Sequence, residues 1–401
     1  MKHRHILYVL AILCTSASGI AAQLFSGFVP RIAQDVLRHM DQAEATRQVG
    51  SYGGSSFLFG WAIGAFALGW MSDKIGRKAA YFISVLIATS SMLVISFAAT
   101  LPEIVIIRFI MGIGVGSVLA QSVVMISEAF PTSSRSIVVG ILINAFPMGF
   151  IGAGLIMKTS DDWRVAYQMG SITILLAIAV LLIVRESKLW SASKASAPSA
   201  SQGIWHPMYR RDLVVAVILF GSMLLGIWAV LGWMPTYVAK ISLQEHSQNN
   251  RSLINIMLGA GNVTGGLFSG MLSNRIGRRR AAAIGYGGCI VTTLLTLQTG
   301  LDASAMLFAG VFSICVFIGL NQGILSGYIP ELFPTLVRGA ATGLGMNVGR
   351  IITAVGVFFL GAMVMHIGGY HHAISLFALA YGVGLATLLV ARETRGEELP
   401  L

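Results

Sequence analysis

Twelve apolar runs follow one another between residues 6 and 391, each about the length of a membrane-crossing helix. A helix needs about 20 residues to span the hydrocarbon of a bilayer. Inside that hydrocarbon every backbone polar group must be satisfied within the protein, which leaves helices or closed barrels. The runs are too long and too uniformly apolar for the alternating strands of a barrel. The fold class is therefore an all-α polytopic membrane protein with twelve transmembrane helices. Breaks at Pro, Gly and charge place the spans near 6–29, 51–72, 79–99, 104–127, 137–157 and 165–184, then 212–238, 252–273, 280–299, 304–329, 339–366 and 371–391. Charged residues are only 11% of the chain, against about a quarter in an average globular domain, so no sizeable soluble domain remains.

The formal charge of +11 points to membrane topology and not to nucleic acid, because Lys and Arg concentrate on alternate loops. With the N-terminus inside, Lys2, Arg4, Lys74, Arg77, Lys78, Arg135, Arg185, Lys188, Lys194, Arg210, Arg211, Arg275, Arg278, Arg279, Arg280, Arg338, Arg392 and Arg395 are cytoplasmic. The other side holds Arg31, Arg38, Arg47, Lys158, Arg164, Lys240 and Arg251. This bias predicts a multi-pass protein of the cytoplasmic (inner) membrane with both termini cytoplasmic; a monomer is expected. Lys2 to His5 before an apolar run also fits a signal peptide, but the repeat described next needs that run as its first helix. Cys14, Cys289 and Cys315 all lie in apolar runs and read as core residues, not a disulfide framework.

Three paired segments recur in one order. GWMSDKIGRK at 69–78 answers GMLSNRIGRR at 270–279, Glu128-AFPTSS-Arg135 answers Glu331-LFPTLV-Arg338, and RESK at 185–188 answers RETR at 392–395. The shift between copies is about half the chain, which indicates duplication. Six spans per copy make the two halves parallel. The expected organisation is an N-terminal six-helix bundle at 1–184, a Ser/Ala-rich cytoplasmic linker at 185–211 and a C-terminal six-helix bundle at 212–401. The charged loop RIAQDVLRHMDQAEATRQ after the first span reads as a surface helix or a solvated lid.

These doubled motifs resemble the major facilitator superfamily over essentially the whole chain. That resemblance implies alternating access, with a cytoplasmic gate of reversible ion pairs. Arg77 with Glu128 and Arg278 with Glu331 are the expected pairs, extended by Arg135, Arg338, Glu186 and Glu393. Gly69 and Gly270 are expected to allow close helix approach, with Gly76 and Lys78 completing the first turn. The second copy has Asn274 where the first has Asp73, so only the first supplies a carboxylate, and Asp73 is expected to matter more to gating.

Ionisable residues within spans default to functional hypotheses. Arg350, deep in the eleventh span, is the leading candidate for substrate binding. Arg108 in RFIMGIGVG resembles the family's fourth-helix arginine motif, and Gln23, Gln121, Asn321, Gln322 and Trp233 are further candidate lining residues. Asn144 and Asn347 match across the repeat, which leaves them open between a shared structural role and substrate contact. Two buried cations suggest an anionic substrate, since an Arg fork suits a carboxylate. WMPTYV at 233–238 and VGRI at 348–351 resemble the branch that takes up organic and aromatic acids with protons, with sugar porters as a related branch. That branch usually carries an acid in the first helix, where this chain has Gln23. The expected function is proton-coupled uptake of a small carboxylate; a drug or metabolite efflux antiporter and a sugar carrier are the alternatives. No HExxH, GxSxG or His/Cys cluster appears in a span, so no enzyme activity, cofactor or metal is expected, and His371 and His372 read as solvated.

Overall fold

A computed structural model describes residues 2–187, 206–243, 246–298 and 302–395. Its helices are α1 (Lys2–Val36), α2 (Gln42–Ile75), α3 (Arg77–Ile95), α4 (Leu101–Ala129), α5 (Thr132–Thr159), α6 (Trp163–Ile183), α7 (Pro207–Ile241), α8 (Ser247–Ile276), α9 (Arg278–Gln298), α10 (Ala305–Glu331), α11 (Thr335–His366) and α12 (Tyr370–Val390). Among the described residues eleven of these are long and apolar enough to cross a membrane. The exception is α8, whose first turns read SQNNRSLIN. It is a continuous 30-residue helix where the eighth span was expected, and its polar face is used, as shown below.

Helix ends follow capping chemistry more than hydrophobicity. α1 runs past Pro30 to Val36, as membrane helices tolerate an internal proline. Gln42 Nε2 donates to the Pro30 carbonyl at 3.0 Å. α2 starts at Gln42 because the Asp41 carboxylate accepts from the N–H groups of Ala43 and Glu44, at 2.9 and 3.2 Å. The charged loop read as a surface helix or a solvated lid is thus divided between the end of α1 and the start of α2. Thr100 and Glu103 close a capping box on α4, which satisfies two otherwise orphaned donors. α6 contains a 3-10 turn at Ile172–Ile174.

The described chain forms two compact units, Met1–Pro198 with Val238–Gly259, and Ser199–Tyr237 with Ala260–Leu401. In the first unit α2 lies on α4 and α1 on α5 through small residues. A methyl group placed on Gly60 would sit 2.0 Å from the Phe109 carbonyl oxygen, and one on Gly64 2.1 Å from that of Ile113. Gly19 and Gly149 bring α1 and α5 together in the same way. Lipid offers no hydrophobic drive between helices, so such backbone proximity and its dispersion contacts supply the packing energy. In the second unit Gly261, Gly265 and Gly319 do the same for α8 and α10.

Candidate functional site

At the termini-bearing end of each unit the doubled motif builds one device twice. In the first unit α2 ends and α3 begins at Gly76, with φ +104° and ψ +156°, a region open almost only to glycine. Glu186, in the segment after α6, accepts the Arg77 backbone N–H at 2.8 Å and that of Lys78 at 3.4 Å. A carboxylate at a helix N-terminus satisfies orphan donors and meets the positive end of the helix dipole. The Arg77 guanidinium donates to Asp73 at 2.6 Å and Ser72 at 2.8 Å, with Glu128 of α4 3.4 Å away.

In the second unit Gly277, at φ +95°, takes the role of Gly76. Glu393 accepts the backbone N–H groups of Arg278 and Arg279 at 2.8 and 3.0 Å. Arg278 forks onto Glu331 at 3.0 and 3.1 Å and also donates to Asn274 at 3.0 Å. Burial pushes the Glu393 carboxyl up, yet the N–H groups of Arg278, Arg279, Arg395 and Thr394 more than offset this and hold it below the usual range. Asn274 therefore occupies the Asp73 position as a neutral acceptor.

Among the described residues nothing would lie within 4 Å of a methyl group on Gly69 or Gly270, so the close approach expected there is not found among them; the glycines that set this motif's geometry are Gly76 and Gly277, which spacing alone could not single out. Arg338 hydrogen-bonds the carbonyls of Pro330 and Phe333, each at 3.1 Å, and so closes the end of α10. The Arg135 side chain lies outside the described residues.

The span residues divide by the neighbour they face. Arg108 is 2% exposed, and its guanidinium lies 4.3 and 4.1 Å from the ring centres of Phe25 and Phe57. It donates to the carbonyls of Ala21 and Gly53 at 3.2 and 3.4 Å. Ring faces and carbonyls together stabilise a buried cation, so Arg108 clamps α1, α2 and α4 together. Gln121 donates to Ser84 and Ser117 at 2.9 and 2.6 Å, facing α3. Asn321 is buried beside Gly285 and Tyr286 of α9. Asn144 donates to the Gly140 carbonyl at 2.9 Å. Trp233 is buried against Tyr370, ring centres 5.5 Å apart.

Arg350 is set differently. Gly349 meets Gly221 of α7 so closely that an added methyl would sit 2.9 Å from the Gly221 nitrogen. That contact fixes the height of the next residue. The Arg350 guanidinium donates to Asn347, one turn earlier, at 3.2 Å, and the residue is 8% exposed. Gln322, in the same unit, is partly exposed on α10.

The opposite end of the first unit carries a cluster that sequence reading missed. Gln23 Nε2 donates to Asn255 Oδ1 at 2.8 Å, both residues fully buried. Arg251, 2% exposed, ion-pairs Asp161 and donates to the Gly27 carbonyl at 3.1 Å. Asp161 pairs with Arg31 through its other oxygen. The available signal was the polar run at the start of α8.

The model of the Major Facilitator Superfamily matches residues 11–357. The chain is 27% identical over 349 residues to a "Probable 4-methylmuconolactone transporter" of Cupriavidus pinatubonensis, covering 84% of this chain and 79% of that protein. It is 26% identical to the cis,cis-muconate transport protein of Acinetobacter baylyi, covering 77% and 76% of the two chains. Among solved structures it resembles a D-xylose-proton symporter with a TM-score of 0.80 at 20% identity, over 99% of this chain and 100% of that one.

Proposed function

The chain belongs to the major facilitator superfamily of membrane transporters, and from that membership we propose that it moves a small organic or aromatic carboxylate across the cytoplasmic membrane by alternating access, coupled to protons. In this reading residues 1–184 and 212–401 are the two moving bundles, 185–211 is their cytoplasmic linker, and both termini face the cytoplasm. The transporters of 4-methylmuconolactone and muconate to which it is similar support the substrate class.

The observation that carries the reading is Arg350. A guanidinium held nearly buried in the middle of a span is costly and marks a functional position by default. Its planar donor fork matches a carboxylate. Gly349 against Gly221, and Asn347 one turn away, hold it in place. Gln322 on α10 is a second polar group for the substrate. Arg108, by contrast, is assigned to packing, since its donors go to carbonyls of its own unit.

The test is counterflow in proteoliposomes with a panel of carboxylates, sugars and cationic drugs, under separately imposed pH and Na+ gradients. Uptake of a carboxylate, driven by inward proton movement and abolished by Arg350→Ala, is expected. A sugar or cationic-drug profile indifferent to Arg350→Ala would replace this reading with a sugar carrier or an efflux antiporter.

A further inference from the structure

At the end of the first unit opposite the termini, the first three turns of α8 are held by polar contacts reaching α1, α5 and the α5–α6 turn. Gln248 donates to the Met157 carbonyl at 3.1 Å, Ser252 to that of Gly154 at 2.8 Å, and Asn255 Oδ1 accepts from Gln23 at 2.8 Å. Arg251 joins Asp161 and the Gly27 carbonyl, and Asp161 also binds Arg31. The helices meet closely here: a methyl on Gly154 would sit 2.7 Å from the Ser252 carbonyl oxygen, and one on Gly259 2.7 Å from that of Pro147.

The chain connectivity makes this docking notable. α7 up to Tyr237 and α8 from Ala260 belong to the second unit, whereas Val238–Gly259 belongs to the first. A single helix thus commits its two ends to different units. Its first half docks through these hydrogen bonds and ion pairs together with the buried side chains of Ile254 and Leu258. The Arg251 side chain is only 3% exposed, while that of its partner Asp161 is 36% exposed.

We propose that Arg251, with Asp161, Arg31 and the Gln23–Asn255 amide pair, is a latch that holds the transport path closed at this end, and that release of Arg251 from Asp161 is the step that lets α8 swing away from α1 and α5. Arg251 acts here as a positioning residue: it selects which state of the transporter is populated and does not itself contact the cargo. A cation shared with a partly exposed carboxylate suits the role, because it is strong enough to bias an equilibrium and weak enough to break on each cycle. The inference rests on the alternating-access reading above but not on which face of the membrane this end occupies.

The test uses the full chain in right-side-out and inside-out vesicles. A cysteine replaces buried Ser252, nearly its isostere, and its labelling by a membrane-impermeant maleimide is timed from each face. Arg251→Gln and Asp161→Asn are expected each to speed labelling about tenfold or more, equivalent to about 1.4 kcal/mol of shifted equilibrium. The double variant should add little, since both changes break one contact. Arg251→Lys should restore slow labelling, and Arg38→Gln, whose pair with Asp35 lies within its own segment, should leave it unchanged. Fast labelling from one face supports the latch, and the face that reports it fixes the orientation separately. Unchanged labelling at both faces in Arg251→Gln, with the protein still eluting as one folded species, overturns the latch whatever the orientation; so does acceleration that Arg251→Lys fails to reverse.

Discussion

Two glycines seven residues apart, one inside α8 and one at the turn that follows it, should respond in opposite ways to the same substitution. Gly277 has φ +95°, and a methyl group there would sit 2.7 Å from Glu393 Oε2. A non-glycine residue in such a backbone region costs about 1–3 kcal/mol. The added methyl also pushes Glu393 off the N–H groups of Arg278 and Arg279, and hydrogen bonds to a charged group are worth about 1.5–3 kcal/mol each. Glu393 is only partly buried and can readjust, so the low ends apply, and Gly277→Ala is expected to cost about 4 kcal/mol in all. Gly270 lies inside α8 facing open space in its unit, where alanine removes backbone freedom from the unfolded chain and gains roughly 0.5–1 kcal/mol. Cys14, Cys289 and Cys315 are free and buried, so a thiol-reactive fluorophore reports unfolding in detergent without added labels. Gly277→Ala should melt well below the parent and Gly270→Ala at or slightly above it. Equal melting temperatures for the two variants, or the reverse order, would refute the argument from backbone geometry.

Glu393 gives a pH signature. Its carboxyl is held below its ordinary value in the folded chain, so its contribution is fully present above the unfolded value, about 4.3. It is lost as pH falls through the lower folded value. Thermal melts across acid pH should show the gap between the parent and Glu393→Gln closing as the medium is acidified, and a gap constant down to the most acid point would contradict this. Arg77 leans on Asp73 at 2.6 Å, with Glu128 at 3.4 Å, whereas Arg278 has the Glu331 fork and only a neutral amide from Asn274. Initial-rate assays should therefore find Asp73→Asn several times slower than the parent and Asn274→Ala close to it; equal slowing would count against an asymmetric gate.

The spans and the doubled loops were legible because both rest on local pattern: apolar length for the first, repeated charge and glycine for the second. The pairs Arg278–Glu331 and Arg77–Glu128 could be read because each motif occurs twice in the same order. What escaped was the facing of each polar side chain. Gln121 and Asn321 look like cavity amides in sequence but turn toward α3 and α9, a rotation that no hydropathy pattern carries. Gly69 and Gly76 look alike in sequence, yet only the second sits at positive φ. The Arg251–Asp161 and Gln23–Asn255 contacts join residues 90 and 232 positions apart, beyond any local signal. The helix ends at Val36 and Gln42 depend on Asp41 and on the partner of the Pro30 carbonyl, details of capping that override hydrophobicity.

The surroundings of Arg108 bear on how the chain is made. A lone arginine at the centre of an inserting helix carries a penalty of about 2.5–3.5 kcal/mol at the translocon. The ring faces of Phe25 and Phe57 and the carbonyls of Ala21 and Gly53 that receive its guanidinium all precede it in sequence. When α4 leaves the ribosome, these rings and carbonyls have already been synthesised, with Tyr167 of α6 still to follow, so biogenesis in chain order delivers the charge to a largely prepared berth. A permuted chain that began at α4 would have to hold that cation in lipid while it waited.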